Sequence, residues 1–114
     1  MQQYAYDKPA FIEELSFRMK PACIEGFIRI VNEHWLPGLC KQKGFLGGEI
    51  WVGEEGKGEV TEYYFWETYE DYASLDQDWL MDMKRASGKL AEGYDMARIP
   101  AMSEGKKFKV CEFR

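Results

Sequence analysis

From Phe11 the chain alternates. Phe11, Leu15, Phe17 and Met19 take one parity, and Ile12, Glu14, Ser16 and Arg18 fall between them. A period of two predicts a half-buried strand. Glu13 interrupts its apolar face. Pro21 then stands where a first helical turn tolerates a missing N–H, and the period lengthens to three and four. Cys23, Phe27, Ile30 and His34 form one stripe, with Ile24, Ile28, Val31 and Trp35 beside it. This predicts an amphipathic helix from Ala22 to about Leu36, weakened at Gly26 and ended or kinked by Pro37-Gly38. Alternation resumes over Phe45 to Val52, with Leu46, Gly48, Ile50 and Val52 on one side and Phe45, Gly47, Glu49 and Trp51 on the other.

The glycine-rich GEEGKG of residues 53–58 reads as a hairpin reversal, since glycine reaches positive φ without strain. As a phosphate loop it lacks the GK[ST] ending and a following helix. A third strand is predicted from Glu59 to Glu67. Thr68 is placed to cap a helix, with Asp71 three residues on as a weak capping-box partner. Tyr72, Leu75, Trp79, Met83, Ala86 and Leu90 keep helical spacing beyond it, loosely bounded by Gly88 and Gly93. Tyr94 to Lys107 reads as a long connection and Phe108 to Phe113 as a closing strand. Met1 to Pro9 is a polar lead-in carrying Tyr4 and Tyr6.

The order strand, helix, strand, hairpin, strand, helix, strand predicts an α+β domain of the ferredoxin-like β-α-β-β-α-β kind, a four-stranded antiparallel sheet with both helices on one face. In the expected hairpin register Glu49, Trp51, Glu62, Tyr64 and Trp66 share the other face. Tryptophans left open there call for a cover, and a second copy across a two-fold axis supplies one, giving a homodimeric α/β barrel.

Composition narrows the function classes. The 114 residues suit one domain, 1–114, and 46% hydrophobic with 16% aromatic content builds a core rather than a disordered chain. Net charge is −5, and basic residues are scattered apart from Lys106, Lys107 and Lys109. Nucleic acid and anionic membranes are therefore not expected partners. No apolar run reaches a bilayer's width, and the N-terminus lacks the basic flank and apolar segment of a signal peptide. Cys23, Cys40 and Cys111 are odd in number and widely spaced, which fits reduced thiols in a cytoplasmic protein. They form no metal-ligand pattern with His34, the lone histidine, which either moves a proton or simply packs.

The stretch Val60 to Tyr72, VTEYYFWETYEDY, is dense in aromatic and acidic side chains. With KGFLGGEIWV before it, this stretch resembles the antibiotic-biosynthesis monooxygenase family of dimeric α/β barrels. Lys43-Gly44-Phe45 stands where that family has a PGF-type turn, and Trp66-Glu67-Thr68 with Tyr72 follows its W-[ED]-[ST]-x-x-x-[YF] junction. The resemblance implies oxidation of an aromatic or polyketide-type molecule without metal, flavin or other cofactor, in a cavity lined by Trp66 and Tyr72. The substrate is deprotonated to a carbanion that reacts with oxygen. Glu62 occupies the position of a family asparagine and is a candidate base, although an ionised carboxylate cannot donate a hydrogen bond. Arg85 lies near the position of a family arginine. The family's haem-degrading branch is not implied: no histidine follows His34, and the first strand has no asparagine.

Trp51, Glu49, Tyr64 and Arg18 are expected to bind the ligand beside these four. Paired carboxylates such as Glu49 and Glu62 can separate into an acid and a base, or sit in salt bridges at the barrel rim. Trp66 and Tyr72 have the alternative of being core or interface aromatics. Three functional readings follow: a small oxygenase, a non-catalytic dimeric protein that binds a small hydrophobic molecule, or an assembly module whose aromatics only pack.

Overall fold

The computed structural model describes residues 11–114; the polar lead-in lies outside the described residues. Five strands, β1 Phe11–Arg18, β2 Phe45–Val52, β3 Glu59–Trp66, β4 Ala97–Ile99 and β5 Phe108–Phe113, form one antiparallel sheet in the order β4-β1-β3-β2-β5. The expected sheet had four. The strand that was not expected, β4, forms inside the stretch read as a connection, where Ile99, Arg98 and Ala97 pair with Ser16, Phe17 and Arg18. Three residues are too few to show a period. What lays them beside β1 is tertiary: the Lys20 N–H donates to the Tyr94 carbonyl at 2.9 Å, so the chain re-enters along the end of β1.

The first helical stretch is continuous but changes pitch. A 3-10 turn at Pro21–Cys23 leads into α1, Ile24–Ile30. A π-helical turn, Val31–Trp35, follows, and then α2, Leu36–Leu39. Pro37 was expected to end or kink it. Pro37 has no N–H to give, and the Leu36 N–H reaches back to the Val31 carbonyl, a wide turn that shifts the ladder by one residue and lets the helix run on. The second helical region is two helices. Thr68 Oγ1 accepts the Asp71 N–H at 3.0 Å and starts α3, Tyr69–Ala73. After Leu75, Asp76 accepts the N–H groups of Asp78 and Trp79 and starts α4, Gln77–Leu90. No helix among the described residues is long and apolar enough to cross a membrane.

The helices cover one face of the sheet. Phe27 and Val31 pack on Ile50 and Val60 at one end, and Leu39 and Leu75 on Tyr64 and Trp66 at the other. Ile50, Val60 and Trp66 are fully buried. The second helical pair is seated unevenly, and no residue of α4 is buried. Trp79 stands edge-on to Trp35 at 6.3 Å, and His34 Nε2 donates to the Met83 carbonyl at 3.2 Å. Gly38 makes this approach possible, since a Cβ there would lie 2.6 Å from the Trp79 ring. So α4 leans on the first helical run instead of lying flat on the sheet.

Candidate functional site

The hairpin decides which side chains share a face. Gly53 N–H bonds to the Glu59 carbonyl at 3.0 Å, leaving Glu54 to Gly58 as a loop with an odd number of residues. Residues then face partners of their own parity: Trp51 opposes Thr61, Glu49 opposes Tyr63, and Ile50 opposes Glu62. The expected register was one residue off, and such a slip exchanges the faces. Glu62, Tyr64 and Trp66 point toward the helices, whereas Glu49 and Trp51 lie on the open face. A bulge between Phe45 and Gly47, where Gly47 adopts φ +132°, turns Phe45 to the helix side, with its ring 5.2 Å from that of Trp66.

On the helix side, the gap beneath α4 is a cavity of about 770 Å³, within the ~300–1,000 Å³ typical of small-molecule sites. Its wall is mainly apolar, with Leu15, Phe17, Trp35, Leu39, Leu75 and Leu80 among its lining residues. Two carboxyls stand on its floor, Glu62 from β3 and Glu13 from β1. Glu13 opposes Tyr64 and Leu15 opposes Glu62, so the two acids are diagonal neighbours on one face.

Glu62 is 6% exposed, and its Oε1 accepts the Tyr64 hydroxyl at 2.6 Å. Burial pushes its carboxyl up to about 7. The Tyr64 hydrogen bond opposes that rise, the nearby Glu13 charge adds to it, and Arg98 draws it back. Burial also raises Glu13, against the pull of Lys84 and Arg98. Tyr64 is held well above the usual tyrosine range by burial and then by the Glu62 charge, so it stays protonated and keeps donating. An acid that changes state near neutrality inside an apolar cavity can take a proton from a bound molecule and return it.

The other expected residues take different places. Tyr72 lines the cavity, with its ring 4.7 Å from Phe11 and 6.1 Å from Trp66. Trp66 is fully enclosed beneath that layer, and its Nε1 is buried with no hydrogen-bond partner among the described residues. Arg85 faces solvent from α4, 3.5 Å from Asp82. On the open face Trp51 Nε1 donates to Glu49 at 2.9 Å, beside Ile12, Tyr63 and Phe65 in a shallow depression of about 500 Å³. Arg18 pairs with Glu59 at 2.9 Å. Of the expected eight residues, Glu62, Tyr64 and Tyr72 come together in the cavity, Trp66 is enclosed beneath it, Glu49, Trp51 and Arg18 lie on the opposite face, and Arg85 faces solvent.

Sequence reasoning passed over Glu13, Trp35, Lys84 and Arg98, all of which line the cavity. Glu13 did carry a signal, a charged residue at an inward position of the first strand. Trp35 carried one only in part, as an aromatic flanking the apolar stripe just before Pro37.

No family model, curated protein or solved structure matches the chain; the likeness to the antibiotic-biosynthesis monooxygenases therefore rests on the two short motifs around Phe45 and Trp66.

Proposed function

We propose that the protein binds a planar aromatic or polyketide-type molecule in the cavity beneath α4 and oxidises it with molecular oxygen. The observation that carries this reading is the Glu62–Tyr64 pair, a carboxyl titrating near neutrality against an aromatic and aliphatic wall. Glu62 as carboxylate takes a proton from an acidic methylene of the substrate, and the carbanion gives its electrons to oxygen. The resulting peroxide recovers the proton from Glu62 and loses water. In balance a CH₂ group and O₂ become a C=O group and H₂O, with all four electrons supplied by the substrate. Tyr64 holds the Glu62 carboxyl in place, and Trp35 and Tyr72 flank the rings.

The same reading takes the fold as ferredoxin-like with one strand added. The order β4-β1-β3-β2 within the sheet supports it, with β5 as the addition beside β2. It also takes the open face as the contact of a homodimer. Ile12 is 53% exposed there, next to Phe65 and Trp51, and such an apolar patch, edged by Glu14, Glu49 and Lys107, favours a second copy.

Oxygen uptake with a tricyclic anthrone, which carries an acidic methylene between two aromatic rings, tests the oxidation. Wild-type protein is expected to consume one O₂ per anthrone, and Glu62→Gln to bind the anthrone but lose turnover. Uptake that is unchanged in Glu62→Gln would refute the role of Glu62. Saturable quenching of Trp35 fluorescence with no uptake by wild type would favour the second reading, a binding protein without chemistry. The solvent-facing position of Arg85, which leaves that expected participant outside the cavity, speaks for that alternative.

A further inference from the structure

The charges around the cavity are sorted by depth. The two acids, Glu13 and Glu62, stand on the sheet. The two bases, Lys84 from α4 and Arg98 from β4, reach the same space from the helix opposite and from the sheet's edge. In a chain of net charge −5, cations without acidic partners stand out. Among the described residues neither Lys84 nor Arg98 forms an ion pair. Both are close enough to Glu13 to act on its charge, and Arg98 also acts on Glu62. Neither is drawn down onto those carboxyls. Arg98 instead lies over the Phe17 ring, 5.6 Å from its centre, at the cavity wall. A guanidinium held over an aromatic ring by cation–π attraction makes no hydrogen bond to that ring, so its N–H groups can donate to an anion beside it.

We propose that the ligand of this cavity is an aromatic acid, a planar ring system carrying a carboxylate that lies between Lys84 and Arg98 while the rings extend along Phe17 and Trp35 toward Glu62. The proposal rests on the cavity being the binding site and adds to it the chemical class and orientation of the ligand. With the carboxylate held at the cationic side, the far edge of the rings is the part presented to Glu62. Glu13 opposes an anion placed over the sheet floor, which further favours the end next to the two bases.

Calorimetric titration with naphthoate and with methyl naphthoate, at mildly alkaline pH and low salt, tests this. Wild type is expected to bind naphthoate about tenfold more tightly than the ester, the worth of one charge-assisted hydrogen bond. That preference is expected to fade as salt rises. Arg98→Gln and Lys84→Gln are each expected to weaken naphthoate more than the ester and so reduce the preference for the acid; Arg98→Lys should recover part of the loss. Both positions are exposed, and circular dichroism checks that the variants keep their fold. Equal affinity for acid and ester, or a preference that survives both substitutions, overturns the proposal while leaving an aromatic-binding cavity intact. Binding of neither compound overturns the cavity reading and this inference together.

Discussion

Glu59 and Glu62 stand three residues apart on β3, both covered from solvent, and their carboxyls are pushed in opposite directions. An odd spacing on a strand sends the two side chains to opposite faces. On the open side Glu59, 1% exposed, accepts the Ser103 N–H at 3.1 Å, the Ser103 hydroxyl at 2.7 Å and the Arg18 guanidinium at 2.9 Å. Burial alone would raise it, but these donors together hold it below its ordinary value. Glu62, inside the cavity, has one donor and a like charge nearby, and burial wins. Covering a carboxyl sets the size of the penalty, and the supply of donors sets the sign. One acid has become a clasp that ties the loop before β5 to the sheet, and the other is left able to exchange a proton.

The contrast can be broken from either side. The largest effect is expected at Glu62. Its carboxyl is raised from 4.5 to about 7, so the native state keeps a proton that the unfolded chain releases. Stability is therefore full below about 4.5 and falls as pH rises toward 7, by about 3 kcal/mol once the group is ionised. Glu62→Gln should remove this loss, with a gain in denaturant unfolding at alkaline pH and little change under acid conditions. Equal gains at both ends of the range would show that Glu62 does not titrate as described.

Glu59→Gln comes next, with a loss of about 2 kcal/mol at neutral pH as charge-assisted hydrogen bonds from Ser103 and Arg18 weaken. The sign of its pH dependence is the reverse. A depressed carboxyl contributes stability above its unfolded value, and this is lost as pH falls through the folded one. Urea midpoints of the Glu59→Gln variant should therefore approach those of wild type in acid. A gap that stays constant down the acid range would argue against an ionised Glu59.

Tyr64→Phe is expected to cost about 1 kcal/mol and to move the Glu62 carboxyl further upward, since the lost hydrogen bond favoured the charged form. Carbon-13 NMR of the glutamate carboxyls reads this directly. The smallest effect is expected from Glu13→Gln, which removes a like charge and so lowers the Glu62 carboxyl. If the two substitutions move Glu62 in the same direction, the roles given to the donor and the charge are wrong.

Much of this contrast was absent from the one-dimensional pattern. The alternation from Phe11 to Arg18 was legible because a strand buries one side, and Thr68 was legible as a cap because its oxygen has one nearby orphan N–H to accept; the stripe from Tyr72 to Leu90 announced helix but neither the break after Ala73 nor that no residue of α4 is buried. The face assignment of Glu49 and Trp51 was not. It turns on the parity of a loop and on one bulge at Phe45–Gly47, features that a period-two pattern tolerates in either setting. Arg85 and Arg98 show the same limit at the site. The first looked well placed by its helix position yet faces water, and the second lies in a three-residue strand that no periodicity could announce.

By itself, then, the sequence determined the α+β class, the two helical regions, three of the strands around the hairpin and the closing strand, and the aromatic and acidic character of β3. Each of these follows from short-range periodicity, capping or turn chemistry. Only the tertiary structure decided that the sheet has five strands, that Glu62 and Glu59 face apart, and that α4 stands off the sheet far enough to leave a cavity. Those outcomes depend on contacts between residues distant in the chain, such as Gly38 with Trp79 and Lys20 with Tyr94. A carboxyl's proton affinity depends on what surrounds it in space, so the chemistry of Glu62 became readable only with the fold.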